Sequence, residues 1–483
     1  MPGRPLIGSG VAIRTFLWAA VSFGGSRLLV FISTVALARL LTPDDFGVVA
    51  AGLALIAFFD IALDLGLGAA VVYEQESGVS ARVQTAFTLN LLAAAVLTAT
   101  GVLAAPAVAG FFHVPEQAAL FAALFASLLF RGAGQVQDAI LRRDLAFRAR
   151  TGVDLVRGVV RGVVSIGLAS AGAGAWALVA GLLAGEFVGT FATWVLTRFR
   201  PTFTLDRRAA RSLLRYGSAV VALKVTGVLI ANTDYLVVGH RLGGRQLGFY
   251  SVAYRLPELL LTSVYVVFSS VAFPLYASVR STDPAAFKAV MLRALGVVTL
   301  FGLPVGTGLA VVAQDAVLVI FGQTWAPATA PLALLALALG VSAVGFASGD
   351  IFAAAGRPGV LLRIAIPFTV VAVIGFVLAA RHGLVAVAAV HLLFNLTYAA
   401  VRLVVADRLV GSTLRESLRA LRPGLLVALV VATVGLPVQA ALDPGLLRLL
   451  LTVAAGTLGG LAVLRLGAPA ALAELRSLAR AAR

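Results

Sequence analysis

The 483-residue sequence contains no cysteine and only two methionines, so it offers no disulfide, no thiol nucleophile and no cysteine-ligated metal centre. Its four histidines, His113, His240, His382 and His391, are too scattered for metal-ligand spacing. Charge is also scarce: Asp, Glu, Lys and Arg make up 12% of the chain, against about 25% in an ordinary soluble domain. No H-E-x-x-H, P-loop or strand-borne G-x-S-x-G motif is present, and Gly66-Leu67-Gly68 ends a helix with no strand to follow. Metal-assisted hydrolysis, acyl transfer through a nucleophile elbow and direct nucleotide drive are therefore not expected. We read the chain as a non-enzyme without cofactor.

What is present is apolar. Hydrophobic residues reach 60%, and the mean hydropathy of +1.02 identifies a polytopic membrane protein. Apolar runs of spanning length, about 20 residues each, fall near 13–37, 46–72, 83–105, 117–134, 153–171, 174–196, 213–238, 247–270, 290–312, 330–348, 360–378, 384–405, 425–441 and 446–466. The fourth, tenth and thirteenth are short or interrupted. The first run carries Arg27 near its middle and is too long for a signal-peptide core of about 7–15 residues, so an uncleaved first span is expected.

A net charge of +17 would suggest nucleic acid in a soluble protein, but here the basic residues gather in alternate loops. With the N-terminus in the cytoplasm, only Arg39, Arg241, Arg245, Arg381 and Arg448 of the 38 Lys and Arg lie in outer loops. By the positive-inside rule this places both termini in the cytoplasm, and no nucleic-acid partner is expected. The stretches between Arg131 and Arg150 and between Arg402 and Arg422 read as inner loops, with Gln135 to Arg150 and Thr413 to Arg422 as basic amphipathic helices on the membrane surface.

Three local likenesses recur in the same order: the turn from Arg39 to Gly47 against that from Arg241 to Gly248, Ile140-Leu141-Arg142 against Ile351-Phe352-Ala353, and Gly174-Ala175-Trp176-Ala177 against Gly383-Leu384-Val385-Ala386. A repeat of six spans is even, which makes its halves parallel. The expected fold is thus an all-α membrane protein of about 14 transmembrane helices, with six-helix lobes at 1–200 and 201–410 and two extra helices with a basic tail at 411–483.

Ionisable residues within spans are the candidate functional groups, because a charge at mid-bilayer costs about 2.5–3.5 kcal/mol even on a lenient scale. The basic set is Arg27, Arg157, Arg161, Lys224 and Arg255, expected to form a cationic substrate cavity. Among the carboxylates, Asp60, Asp64, Glu186 and Glu258 are candidates for carrying a coupling cation, H+ or Na+, while Asp154 and Asp234 lie near span ends and read as structural. Asp60 and Asp64 share a helix face, as do Arg157 and Arg161, and Arg255 pairs with Glu258. Gly181, Gly185 and Gly189 form a small-residue ladder for close helix packing.

Several stretches together resemble one known family: ARLLTPDDFGVVA, AILRRDLAFRA, GAGAWALVAG, RPTFTLDRRAARSLLRYG, NTDYLVVGHRLGGRQLGFYSVAYRLPEL and FGQTWAPA. Over most of the chain up to about Val405 the sequence is similar to the Wzx-like polysaccharide transport branch of the multidrug/oligosaccharidyl-lipid/polysaccharide (MOP) flippase superfamily. The resemblance implies a MATE-like fold working by alternating access in the inner membrane. It implies a polyprenyl-diphosphate-linked oligosaccharide as substrate, drawn from membrane lipid and delivered for cell-surface or exopolysaccharide assembly, with a glycan polymerase and export machinery as partners. Two other readings stay open at this point, a cation-coupled multidrug exporter and a polytopic glycan polymerase or glycosyltransferase.

Overall fold

A computed structural model describes residues 29–64, 79–144, 146–280 and 284–467, and among these residues there are helices and turns but no strand. Lipid offers backbone groups no hydrogen-bond partner, so apolar chain crossing it must satisfy its own N–H and C=O groups as helix. Arg27 lies outside the described residues, and so do the side chains of Asp64 and Lys224. Contacts divide the chain into two compact units, one ending at Gly248 and one beginning at Phe249.

In the first unit, α1 (Leu29–Leu40) leads into α2 (Pro43–Asp64), α3 (Val79–Phe111), α4 (Ala118–Arg143), α5 (Phe147–Ser170), α6 (Ala175–Thr197) and α7 (Arg207–Leu242). The start of α2 is fixed locally. The Thr42 amide donates to Asp45 Oδ2 at 2.9 Å, and the Asp45 amide donates back to Thr42 Oγ1 at 3.3 Å, satisfying two donors that a helix start would leave orphaned. Helix α3 packs on α4, α5 on α6, and α2 on α4 and α7. Phe87, Phe121, Leu124, Phe125 and Leu128 are buried between these helices.

The chain turns at Gly243, whose φ of +86° suits a residue without Cβ, and enters α8. This helix runs from Gly244–Pro257 through a π-helical turn at Glu258–Thr262 into Ser263–Arg280. Pro257 immediately precedes the widened turn; lacking an N–H, it breaks the regular ladder at that point. The second unit continues with α9 (Pro284–Val311), α10 (Thr329–Ala354), α11 (Pro358–Ala379), α12 (Leu384–Val410), α13 (Leu414–Ala441) and α14 (Leu446–Gly467). Its core gathers Tyr265, Met291, Leu295, Ala343, Ile351 and Phe352 where α8, α9, α10 and α12 meet.

Eleven helices among the described residues are long and apolar enough to cross a membrane. The first expected span is described only from Leu29. Polar residues interrupt α5 at Asp154, Arg157 and Arg161, and α7 at Asn232, Asp234 and His240. Two expectations about loops are corrected. Residues 135–143 are not a separate helix but the last turns of α4, and α5 begins at Phe147. Thr413 is the N-cap of α13, closed by a capping box with Glu416, so the basic segment after it is the first part of a helix that runs on to Ala441. Of the last two helices, α13 packs along α9 and against α14.

Candidate functional site

The first unit holds an open cavity of about 820 Å³. Each helix that lines it contributes residues spaced for one face. From α4 come Arg131, Gln135, Asp138 and Arg142, and from α5 Arg150, Asp154 and Arg157; α6 gives Glu186 and Thr190, and α2 gives Ala57, Asp60 and Ile61. Intervals of three and four residues bring side chains to one side of a helix.

Helices α5 and α6 approach closely because α6 presents glycines there. A Cβ at Gly181 would meet the Arg161 carbonyl at 2.7 Å, one at Gly185 the Arg157 carbonyl at 2.9 Å, and one at Gly189 the Arg157 Nε at 2.5 Å. The ladder thus has a consequence beyond packing. It lets the Arg157 guanidinium lie across α6 beside Glu186, with Nε 3.5 Å from Glu186 Oε2.

From there the charges alternate across helices. Arg131 bridges Asp60 of α2 and Glu186 of α6, the latter at 3.3 Å, and Arg157 also reaches Asp154 at 3.6 Å. Toward the end of α4, Asp138 takes both Arg142 and Arg150, the second at 2.9 Å. Four carboxylates (Asp60, Asp138, Asp154, Glu186) therefore face four guanidiniums (Arg131, Arg142, Arg150, Arg157) around one space. Such an array costs less to bury than its separate charges, since each ion has a partner of opposite sign.

Of the residues singled out from sequence, the cavity collects Asp60, Arg157 and Glu186, together with Asp154, which had been read as structural. Arg161 continues the polar face of α5 by one turn and lies against Gly181 and Gly185, outside the cavity lining. Arg255 and Glu258 belong to the second unit, 3.8 Å apart. Four lining residues were missed: Arg131, Asp138, Arg142 and Arg150. The inner-loop reading of the stretch from Arg131 to Arg150 covers all four. Their own spacing carried the signal, since positions 131, 135, 138 and 142 repeat at the helical period.

The second unit holds buried polar groups of its own. Asp315 is fully buried and Arg448 is 5% exposed; they pair at 2.9 Å, and Gln439 and the Gly445 amide also donate to the carboxylate. Burial alone would push the Asp315 carboxyl up, but the Arg448, Gln439 and Gly445 donors outweigh it and hold it below its ordinary value. Elsewhere in the unit, both oxygens of Asp350 accept from Ser269 Oγ, at 2.6 and 2.7 Å.

A family model described as polysaccharide biosynthesis protein matches residues 36–330. The chain belongs to this family. Among relatives of the polysaccharide biosynthesis protein, the succinoglycan biosynthesis transport protein ExoT of Rhizobium meliloti is 28% identical over 338 residues, spanning 70% of this chain and 68% of its own. The fold is shared with the lipid II flippase MurJ in an inward closed conformation, with a TM-score of 0.76 at 14% identity over 92% of this chain and 97% of that one. A multidrug resistance MATE transporter of the MOP superfamily in an inward-facing conformation matches with a TM-score of 0.63 at 16% identity, over 81% of this chain and 98% of that one. This polysaccharide biosynthesis protein is thus a multi-pass membrane protein of the MOP fold, as its sequence motifs implied.

Proposed function

We propose that the protein is a flippase that moves a polyprenyl-diphosphate-linked oligosaccharide from the inner to the outer leaflet of the cell membrane, by ion-coupled alternating access. The observation that carries the reading is the charge-lined cavity of about 820 Å³ inside a helical membrane protein of the polysaccharide biosynthesis family. Support also comes from the transport role named for ExoT and from the fold shared with MurJ and MATE proteins. The sequence carries no nucleotide-binding or hydrolase motif, and on this reading the protein moves its substrate without altering it.

The balance of charges suggests how an ion and a substrate are coupled. Guanidiniums suit diphosphate, because their planar donors replace the water that the headgroup must shed. In this arrangement Arg131 and Arg157 are held by Asp60, Asp154 and Glu186. Loading a proton or Na+ onto Asp60 or Glu186 releases a guanidinium to the diphosphate, and an arriving diphosphate displaces a carboxylate toward a cation. Arg27, Arg161, Lys224 and Arg255, with Asp64 and Glu258, complete the proposed substrate and ion set.

The lobes of the repeat are proposed at 1–200 and 201–410, with 411–483 added; grouping by contact differs by α7, which packs on α2. Both termini are proposed to be cytoplasmic, and a glycan polymerase to act on the delivered substrate. Cells lacking the protein should accumulate the complete lipid-linked glycan, inaccessible from outside. A truncated glycan in its place would mark a synthesising enzyme and overturn the reading.

A further inference from the structure

The charged residues that line the cavity of the first unit are occupied with one another, carboxylate against guanidinium. Two neutral polar side chains share that lining, Gln135 of α4 and Thr190 of α6. Thr190 spends its one hydroxyl hydrogen on the Phe130 carbonyl, at 2.9 Å. Gln135 is held differently, by Asn90 of α3, a residue only 1% exposed and set behind the cavity wall.

The direction of that hold follows from the chemistry of the partners. Helices α3 and α4 come close at Gly132, where a Cβ would overlap the Ala94 side chain. Across this approach Asn90 Nδ2 donates to the Gly132 carbonyl at 3.1 Å and to Gln135 Oε1 at 3.0 Å. A carbonyl can only accept, so Asn90 must present its NH2 group here, and Gln135 must then present its oxygen to Asn90. The Gln135 amide is thereby fixed in one of its two flips, with its N–H groups turned away from Asn90. Asn90 Oδ1, meanwhile, is buried and meets no donor among the described residues. An orphaned buried acceptor costs stability, and here that cost accompanies two bonds that both serve the cavity-lining turn of α4.

We propose that Gln135 is a specificity-determining residue for the sugar that the substrate carries, donating an amide N–H to a sugar hydroxyl in the cavity, and that Asn90 is its positioning residue. The choice of a hydroxyl follows from the wall itself. Asp138 stands about one turn further along the same face of α4, and Asp154 and Glu186 line the same space. A hydroxyl both accepts and donates, so it can take the amide hydrogen and give its own to a carboxylate. An ionised phosphate oxygen only accepts, and those carboxylates repel it. The sugar as the source of the hydroxyl rests on the flippase reading.

The test compares carriers that differ only in the sugar. Full-length protein in phosphatidylcholine nanodiscs is titrated calorimetrically with farnesyl diphosphate and with the same carrier bearing glucose, galactose or N-acetylglucosamine. The quantity read is the affinity ratio of each sugar-bearing probe to the bare one, in which effects on the diphosphate cancel. A neutral hydrogen bond changes affinity by about two- to tenfold, so wild type should prefer at least one sugar-bearing probe by about fivefold. Gln135→Leu should bring that ratio below about twofold. Gln135→Glu, which keeps an oxygen for Asn90 but loses the N–H donors, should do the same. Asn90→Leu should lower the ratio although Gln135 is intact; a changed melting temperature with an unchanged ratio would reduce Asn90 to a packing role and overturn its part. Wild type without preference for any sugar, or Gln135→Leu with the wild-type ratio, overturns the inference. A Gln135-dependent ratio in protein that moves no lipid between leaflets would instead sink the flippase reading and leave the sugar contact standing.

Discussion

Gly47 and Gly248 make the same contact in reverse: a Cβ on Gly47 would overlap the carbonyl oxygen of Gly244, and a Cβ on Gly248 would overlap that of Pro43. The two turns whose sequences are alike are thus packed against each other. Each glycine meets the residue four positions before its counterpart, so the likeness is one of place as well as of sequence.

Gly47→Ala and Gly248→Ala should each destabilise the protein by about 1–3 kcal/mol, because a backbone carbonyl cannot give way as a side-chain end does. Gly158→Ala is the control. Its Cβ would meet nothing within 4 Å, and in a helix interior the change should be neutral or stabilising by up to about 1 kcal/mol. Thermal melting of detergent-solubilised protein reads all three. Equal melting temperatures would show that the close approach is not required.

Arg131→Gln leaves Asp60 and Glu186 without their shared cation. A fully buried pair loses about 3–5 kcal/mol on such a change, and the partial exposure of Asp60 reduces the expected loss to about 1–3 kcal/mol. The amount of inserted protein should fall, and Asp60→Asn in the same chain should restore part of it. If the double variant were no better than the single one, the two residues would not be coupled in the folded protein.

Much of the fold was legible, since lipid imposes a length and a composition on anything that crosses it. The failures share a physical cause. Arg131 and Arg402 fall within the expected spans 117–134 and 384–405 but were counted with the inner loops, whereas a helix keeps its backbone bonds whatever its side chains carry, and a charge is tolerated once a neighbouring helix offers a partner or a packed groove. Such partners, Asp60 and Glu186 for Arg131, lie far apart in sequence. Spacing along one helix shows i, i+4 neighbours only. For this reason Arg157 was identified as a candidate, but its place beside Glu186 was not.

Asp315 ties α14 to the segment that follows α9 through Arg448. Asp315→Asn should cost about 3–5 kcal/mol at neutral pH, because Arg448 is left buried without its partner. The folded-state carboxyl sits below its ordinary value, so its contribution is fully present above the unfolded value near about 3.9 and is lost as pH falls through the lower folded one. The melting-temperature gap between wild type and Asp315→Asn should accordingly close as pH drops below about 4. A gap that stayed constant on acidification would mean that the ion pair is not its source.

Orientation is tested cleanly because the chain has no native cysteine. On intact cells Ala171→Cys, in the exposed turn between α5 and α6, should react with an impermeant maleimide. Arg200→Cys, between α6 and α7, should react only after lysis. The reverse pattern would invert the proposed topology.

The central claim is translocation without chemistry. Protein reconstituted into liposomes with a fluorescent polyprenyl-diphosphate saccharide should expose inner-leaflet lipid to an external sugar oxidase, leave the lipid chemically unchanged, and respond in rate to an imposed H+ or Na+ gradient. Accessibility equal to that of protein-free vesicles, or a glycan lengthened or cut from its carrier, would contradict the account.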